Sequence, residues 1–237
     1  MTELLEQGLL KLGLTLSEKQ LNQFVQYYEL LIEKNKVMNL TAITEYSEVV
    51  HKHFLDSLSI VLSPVFRGEG RVLDVGTGAG FPGIPLKIAF PDLEVTLLDS
   101  LNKRVNFLIE VADKLGLEKI ECIHGRAEDM GREEIYREKF DFCVSRAVAA
   151  LPVLAEYGMP FIKKGGYFIP YKSIKIEEEL KEATRAVKLL SGEIKDIVSF
   201  TIPNTEIERT LIVIKKTAPI AKIYPRKAGI PKKEPLI

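Results

Sequence analysis

The sequence predicts an α/β protein built on a mostly parallel, doubly wound sheet, and two observations carry that prediction. From Arg71 onward, short apolar runs alternate with amphipathic stretches of helical length. The runs are apolar at consecutive positions, as strands covered on both faces must be, and parallel β-α-β units bury strands in that way.

Strand-like runs fall at 71–75, 93–98, 119–123, 140–145 and 165–171. Helix-like segments follow at about 83–90, 102–115, 148–158 and 175–190. Two more β-like runs, 194–202 and 209–216, lack a clear helix between them, which predicts an antiparallel hairpin at the sheet edge. Upstream of Arg71 the pattern is helical. Ser17 and Gln20 have capping-box spacing, and Leu21, Phe24, Val25, Tyr28, Leu31 and Ile32 then repeat at helical spacing. A second helical stretch covers about 47–62 and stops at Pro64, with the connector Asn39-Leu40-Thr41-Ala42-Ile43 between the two. After about residue 218 the chain is rich in Pro and Lys and reads as extended and irregular. The resulting division is an N-terminal helical extension packed on the core (1–64), a central α/β domain (65–217) and a basic C-terminal tail (218–237).

Composition narrows the function. A chain of 237 residues, 46% hydrophobic, can bury a full core. Its 33 basic and 33 acidic side chains balance, so any nucleic-acid surface must come from local clustering. No apolar run reaches the roughly 18–20 residues that cross a bilayer. Glu3 and Glu6 near the start do not fit a secretory signal. Cys122 and Cys143 lie in apolar β-like runs without metal-ligand spacing, and we read both as reduced core residues of a cytoplasmic protein that binds no metal.

The chemistry concentrates where the first strand ends, in Asp74-Val75-Gly76-Thr77-Gly78-Ala79-Gly80-Phe81-Pro82-Gly83. Glycines at a strand-to-helix turn let a ligand approach the backbone. A dinucleotide fingerprint needs G-x-G-x-x-G, but here its third position is Phe81. The glycines fall instead as G-x-G-x-G, with an acid two residues before the first. That form occurs in Rossmann-like class I methyltransferases, so the expected cofactor is S-adenosylmethionine rather than NAD, with Phe81 against the nucleoside. Asp99 ends the second strand, where an acid can accept hydrogen bonds from both ribose hydroxyls or cap the following helix. In the loop after the third strand, the Ala127 backbone and the Glu128 side chain are placed to read an adenine edge.

The fourth strand runs through Phe140 to Ser145-Arg146-Ala147. It carries neither the Asn/Asp-Pro-Pro-aromatic motif of amine methylation nor a Pro-Cys nucleophile for pyrimidine carbons. Arg146 is a cation at the end of a buried strand, suited to the methionine carboxylate, an RNA phosphate or a structural ion pair. No general base stands out. A guanine N7 has an in-plane lone pair and no proton, so its alkylation needs none. In the tail, Lys222, Arg226, Lys227, Lys232 and Lys233 form a basic segment suited to a phosphate backbone, and Arg226, Lys227, Lys232 and Lys233 are its candidate RNA contacts.

These pieces, with Asn39-Leu40-Thr41, His53-Phe54-Leu55-Asp56-Ser57-Leu58, Lys103-Arg104, Arg126-Ala127-Glu128 and the run from Tyr224 to Pro231, span nearly the whole chain in order. It resembles the RsmG family, also called glucose-inhibited division protein B, the bacterial 16S ribosomal RNA guanine-N7 methyltransferases. The resemblance implies methyl transfer from S-adenosylmethionine to a guanine N7 in the decoding-region loop of 16S rRNA, free or within a small ribosomal subunit. It implies cofactor contacts at Gly76, Phe81, Ala127, Glu128 and Arg146, with Gly78 and Asp99 beside them. It assigns no chemistry to His53 and Asp56. Two other readings keep parts of this picture: a methyltransferase acting on a protein or small molecule, and an RNA-binding module without catalysis.

Overall fold

The N-terminal helices form as their patterns require. In the computed structural model, which describes residues 2–237, α1 (Glu3–Lys11) precedes α2 (Glu18–Met38). The capping box is closed at both ends: the Gln20 amide N–H donates to Ser17 Oγ at 3.3 Å, and the Ser17 N–H donates to Gln20 Oε1 at 2.9 Å. α2 ends at Asn39, whose φ of +51° is the left-handed cap that asparagine tolerates. Its apolar face packs on the α/β unit, and its polar groups fasten it there. Gln23 donates to the Leu115 carbonyl at 2.8 Å, and the Tyr27 hydroxyl donates to the Ala79 carbonyl, inside the glycine-rich loop, at 2.6 Å.

The stretch expected as one helix over 47–62 is a composite. α3 (Tyr46–Val49) runs into a π-helical turn, Val50–Leu55, then α4 (Asp56–Leu58) and a 3-10 turn, Ser59–Leu62. The i→i+5 turn shifts the 3.6-residue phase in mid-segment, so no single period describes it. Such turns concentrate at functional positions.

The α/β unit follows as β1 (Arg71–Val75), α5 (Gly83–Ala89), β2 (Glu94–Asp99), α6 (Asn102–Lys114), β3 (Ile120–His124), α7 (Ala127–Met130), β4 (Phe140–Arg146), α8 (Leu151–Gly158), β5 (Ile162–Lys172), α9 (Glu177–Leu189), β6 (Gly192–Thr201) and β7 (Glu208–Lys216). The sheet order is β3-β2-β1-β4-β5-β7-β6. Strands β1 to β5 are mutually parallel, while β7 is antiparallel to both β5 and β6. β7 lies inside the sheet, so Leu211, Ile212, Val213 and Ile214 are buried on both faces; β6, the edge strand, is half exposed. This is the α/β fold with an antiparallel hairpin that the sequence predicts. The order in which strands are added reverses between β1 and β4, and ligands of open α/β sheets bind at the carboxyl ends of the strands at such a point.

The tail departs from expectation. It folds back on the domain instead of extending away. Arg137 donates to the carbonyls of Gly131 (2.9 Å), Tyr224 (2.7 Å) and Ile220 (3.2 Å), and Arg132 donates to that of Pro225 at 2.6 Å. Arg226 grips Glu156, a fully buried carboxylate on α8, through Nε (2.9 Å) and Nη2 (2.7 Å). A buried carboxylate needs such a partner, and the tail supplies it. A short helix, α10 (Ile230–Lys233), completes the segment.

Candidate cofactor and acceptor clefts

Two clefts open at the carboxyl ends of the strands and meet at the end of β4. Ala147 lines one and Val148 the other. Ala147 has a φ of +57°, a left-handed conformation that costs a non-glycine residue energy.

The first cleft, about 720 Å³, is bordered by the loops after β1, β2 and β3. That volume lies within the range of small-molecule sites. Backbone builds its floor. The Gly76 N–H donates to the Leu98 carbonyl at 2.8 Å, which draws the glycine-rich loop over the end of β2. Gly78 has a φ of +63°, and a Cβ there would meet only the Gly76 carbonyl oxygen, at 4.0 Å, so the loop leaves open space. Asp99 fixes this loop: its Oδ2 accepts from the Gly78 N–H and its Oδ1 from the Leu101 N–H, both at 2.9 Å. The carboxylate thus ties two turns together and still borders the cleft with its remaining lone pairs. Beneath the loop lies Asp74, buried, its Oδ2 accepting from the Thr77 hydroxyl at 2.7 Å and the Gly83 N–H at 2.8 Å. Its Oδ1 has no hydrogen-bond partner. Burial pushes the carboxyl up to about 7, against the pull of those hydrogen bonds. Ala127 and Glu128 form the far wall, where Glu128 Oε1 accepts from the tail's Gly229 N–H at 2.8 Å.

Side chains build the second cleft, about 500 Å³. Arg146 donates from Nη1 to Asp56 Oδ2 (2.9 Å) and to the Lys52 carbonyl (2.8 Å), and its Nη2 lies 3.1 Å from His53 Nδ1. His53 Nδ1 also lies 3.1 Å from the Lys52 carbonyl, which Arg146 Nη1 already serves; with Nδ1 accepting from the guanidinium, which can only donate, Nε2 carries the ring proton toward Thr41 Oγ1 at 2.9 Å. Thr41 is itself held by Asn35, which accepts from the Thr41 N–H and donates to its carbonyl, both at 2.9 Å. Burial and the neighbouring Arg146 hold His53 down to about 3, so the ring is neutral. It stacks on Phe81 with ring centres 4.4 Å apart, and the Arg146 guanidinium lies 5.2 Å from that same ring.

The structure therefore brings Gly76, Asp99, Ala127 and Glu128 together around the first cleft, with Gly78 on its loop. Phe81 and Arg146 lie elsewhere. Phe81 is packed among His53, Tyr27 and Phe54 at 6% exposure, and Arg146 lines the second cleft. Of the tail cations, Lys232 and Lys233 stand at the mouth of the first cleft and Lys227 is exposed. Arg226, also expected to meet RNA, is held on Glu156. Asp56 and His53 are the residues that sequence reasoning left without a task. Their signal was a charged residue inside the apolar run Phe54-Leu55-Asp56-Ser57-Leu58, which helical packing alone does not ask for.

The chain is similar to the GidB family, described as rRNA small subunit methyltransferase G, over residues 20–211. It is 58% identical to a ribosomal RNA small subunit methyltransferase G of Lachnoclostridium phytofermentans, covering 98% of this chain and 96% of that one. The corresponding protein of Alkaliphilus oremlandii is 51% identical, over 99% and 98% of the two chains. Among solved structures, a SAM-dependent methyltransferase of Aquifex aeolicus aligns with a TM-score of 0.55 at 18% identity, over 76% of this chain and 97% of that one. M. jannaschii TYW2 in complex with AdoMet aligns with a TM-score of 0.55 at 13% identity, over 74% and 79%. These two speak for the fold. Family match and near-full-length relatives together establish that the chain belongs to the rRNA small subunit methyltransferase G family.

Proposed function

We propose that this protein transfers a methyl group from S-adenosylmethionine to N7 of a guanine in a loop of 16S rRNA. The observation that carries the reading is the first cleft: a glycine floor with open space at Gly78, joined to a carboxylate at the end of β2. The residues fit the cofactor. Asp99 would accept from the ribose hydroxyls, Gly76 and Gly78 would let the ligand lie on the backbone, and Ala127 and Glu128 would border the adenine. The unpaired Asp74 Oδ1 is an acceptor that a cationic amino group, direct or through water, would satisfy. Arg146 lines the second cleft, and Phe81 is packed behind it against His53. When bound, S-adenosylmethionine supplies a methyl group on a positively charged sulfur.

The chain's own task is then positioning. The N7 lone pair forms the new bond to carbon as the carbon–sulfur bond breaks, the positive charge passes to the base, and no proton leaves. This agrees with the state of His53, which is neutral, held on both ring nitrogens and far too acidic when protonated to serve as a base near neutrality. What remains is in-line alignment and exclusion of water. A loop target follows from geometry, because N7 in an A-form helix faces a groove too narrow for side chains.

A substrate of this kind places the protein in the cytoplasm, and no described helix is long and apolar enough to cross a membrane. The helical extension (1–64), the α/β domain (65–217) and the tail (218–237) would then act together on the RNA, with Lys227, Lys232 and Lys233 among the exposed tail cations. The test is transfer of labelled methyl groups to small-subunit rRNA or particles, with the product nucleoside identified by mass. N7-methylguanosine at one position is the expected result; label confined to proteins or metabolites would overturn it.

A further inference from the structure

We propose that the second cleft holds the acceptor guanine and that Asp56 selects it, by accepting hydrogen bonds from the base's N1–H and 2-amino group. The inference rests on the guanine-N7 reading above and adds the residue that would read the base.

Asp56 is a carboxylate at 2% exposure whose Oδ1 has no hydrogen-bond partner. Its Oδ2 accepts from Arg146 Nη1 at 2.9 Å and, more weakly, from Arg209 Nε at 3.5 Å. Arg209 Nε comes within 3.4 Å of Oδ1 without making a hydrogen bond to it. A buried, ionisable oxygen left short of donors is a costly arrangement, and native structures keep few of them. The cost is recovered if a ligand supplies the missing donors. Guanine does so in the required form, since N1–H and the 2-amino group present two adjacent donors on one edge. Adenine presents an acceptor at N1, which a carboxylate repels.

Orientation supports the same assignment. N7 lies on the opposite side of guanine from the N1–H and 2-amino edge. With that edge on Asp56, N7 is directed away from the carboxylate and stays free to react, in a cleft that meets the first at Ala147 and Val148. Arg209 is the movable cover. Its side chain is about a quarter exposed and sits on β7 at the sheet's rim. Drawn off the Asp56 carboxylate by the incoming base, it remains within the cleft as a cation for the nucleotide's phosphate, beside Lys52. Four cations and two carboxylates line the cleft, Lys52, Arg146, Lys172 and Arg209 against Asp56 and Glu179, a balance that suits a nucleotide.

Inosine tests this, because it keeps N7 and N1–H and lacks only the 2-amino group. Small-subunit RNA is prepared with guanosine or inosine at the mapped methylation position, and kcat/KM is measured on both. Wild-type protein is expected to favour guanosine about tenfold or more, the value of one hydrogen bond to a charged group. Asp56→Asn is expected to lose activity on guanosine RNA and bring the guanosine-to-inosine ratio close to one. A purely structural Asp56 would lower both rates and leave the ratio alone, so an unchanged ratio in a D56N protein that melts cooperatively overturns the proposal. Equal rates on the two RNAs with wild-type protein overturn it as well, without any variant, while leaving the methylation reading intact. No methylation of either RNA by wild-type protein removes both.

Discussion

The two clefts that meet at Ala147 and Val148 are made of different material. The first is made of backbone: a turn of glycines, one aspartate that clamps it and the N-terminal loop of α7. The second is made of side chains brought from four places, with Lys52, His53 and Asp56 from the helical extension, Arg146 from β4, Tyr171 from β5 and Arg209 from β7. A backbone site is as stable as the strand ends that carry it. A side-chain site depends on each pairing within it, because groups buried together lose their partners together. The first cleft should therefore respond to substitution by losing its ligand, and the second by losing stability.

Arg146→Ala sets this difference at its widest. It removes the hydrogen-bonded partner of a buried carboxylate, a change that typically costs about 3–5 kcal/mol. For a chain of this size the melting temperature should fall by roughly 6–20 °C. Removing Asp56 as well should recover part of the loss, since the uncompensated charge goes with it. A melting temperature within a degree or two of wild type would mean that the second cleft is not held by its ion pair.

Gly78→Val probes the other material. The position has open space around it and a left-handed φ, so a β-branched side chain both strains the loop and fills the cleft. Calorimetric affinity for S-adenosylmethionine should drop by about a hundredfold or more, close to 2.7 kcal/mol, with RNA affinity little changed. Retained cofactor binding would put the ligand somewhere other than on the glycine floor.

The same difference decides what could be read in the sequence. Gly76, Gly78 and Asp99 were legible because a backbone site is local: its residues lie within one β-α-β unit, and glycine spacing states the backbone conformation directly. The parallel strands were legible for a related reason, each being one uninterrupted apolar run. The second cleft was not, since Asp56 and Arg209 are 153 positions apart and nothing in either neighbourhood points to the other. Arg146 stood out as a cation after a buried strand, but its partner came from the π-turn region, whose altered phase hides the inward-facing positions. The tail failed differently. Its prolines and lysines suggested an extended segment, whereas one buried acid, Glu156, was enough to draw Arg226 back onto α8.

Acid stability sharpens the contrast between the two buried titrating groups. His53, in the second cleft, is held at about 3, below its usual 6.5; the stability it contributes is present above 6.5 and is lost as pH falls toward 3. Asp74, under the first cleft, is raised from 3.8 to about 7; its contribution is present at low pH and is lost as pH rises through 7. Between pH 4 and 6.5 the two slopes oppose each other. His53→Phe keeps a ring to stack on Phe81 and removes one of them. Relative to wild type, the variant should gain about 3 kcal/mol between pH 7 and pH 4, read as the difference between their unfolding free energies from denaturant titration at each pH. Parallel stability curves for the two proteins would show that His53 titrates normally and that its neighbours do not hold it neutral.

The tail should give the smallest effect, and one that separates its two kinds of cation. Lys227, Lys232 and Lys233 are exposed, with the last two at the mouth of the first cleft, whereas Arg226 is engaged by a buried acid through two nitrogens. If the lysines meet phosphates, changing all three to alanine should leave stability within about 0.5 kcal/mol of wild type. The same change should lower the salt dependence of RNA binding by about 0.7–0.9 in logarithmic slope for each phosphate that a lysine neutralises. Arg226→Ala should do the reverse: it strands Glu156, loosens the segment that places Gly229 on Glu128 and lowers stability, with a smaller change in slope. An unchanged slope in the triple-lysine variant would take the tail off the RNA surface and leave it a purely internal strap, fastened by Arg226 at one point and by Gly229 at another.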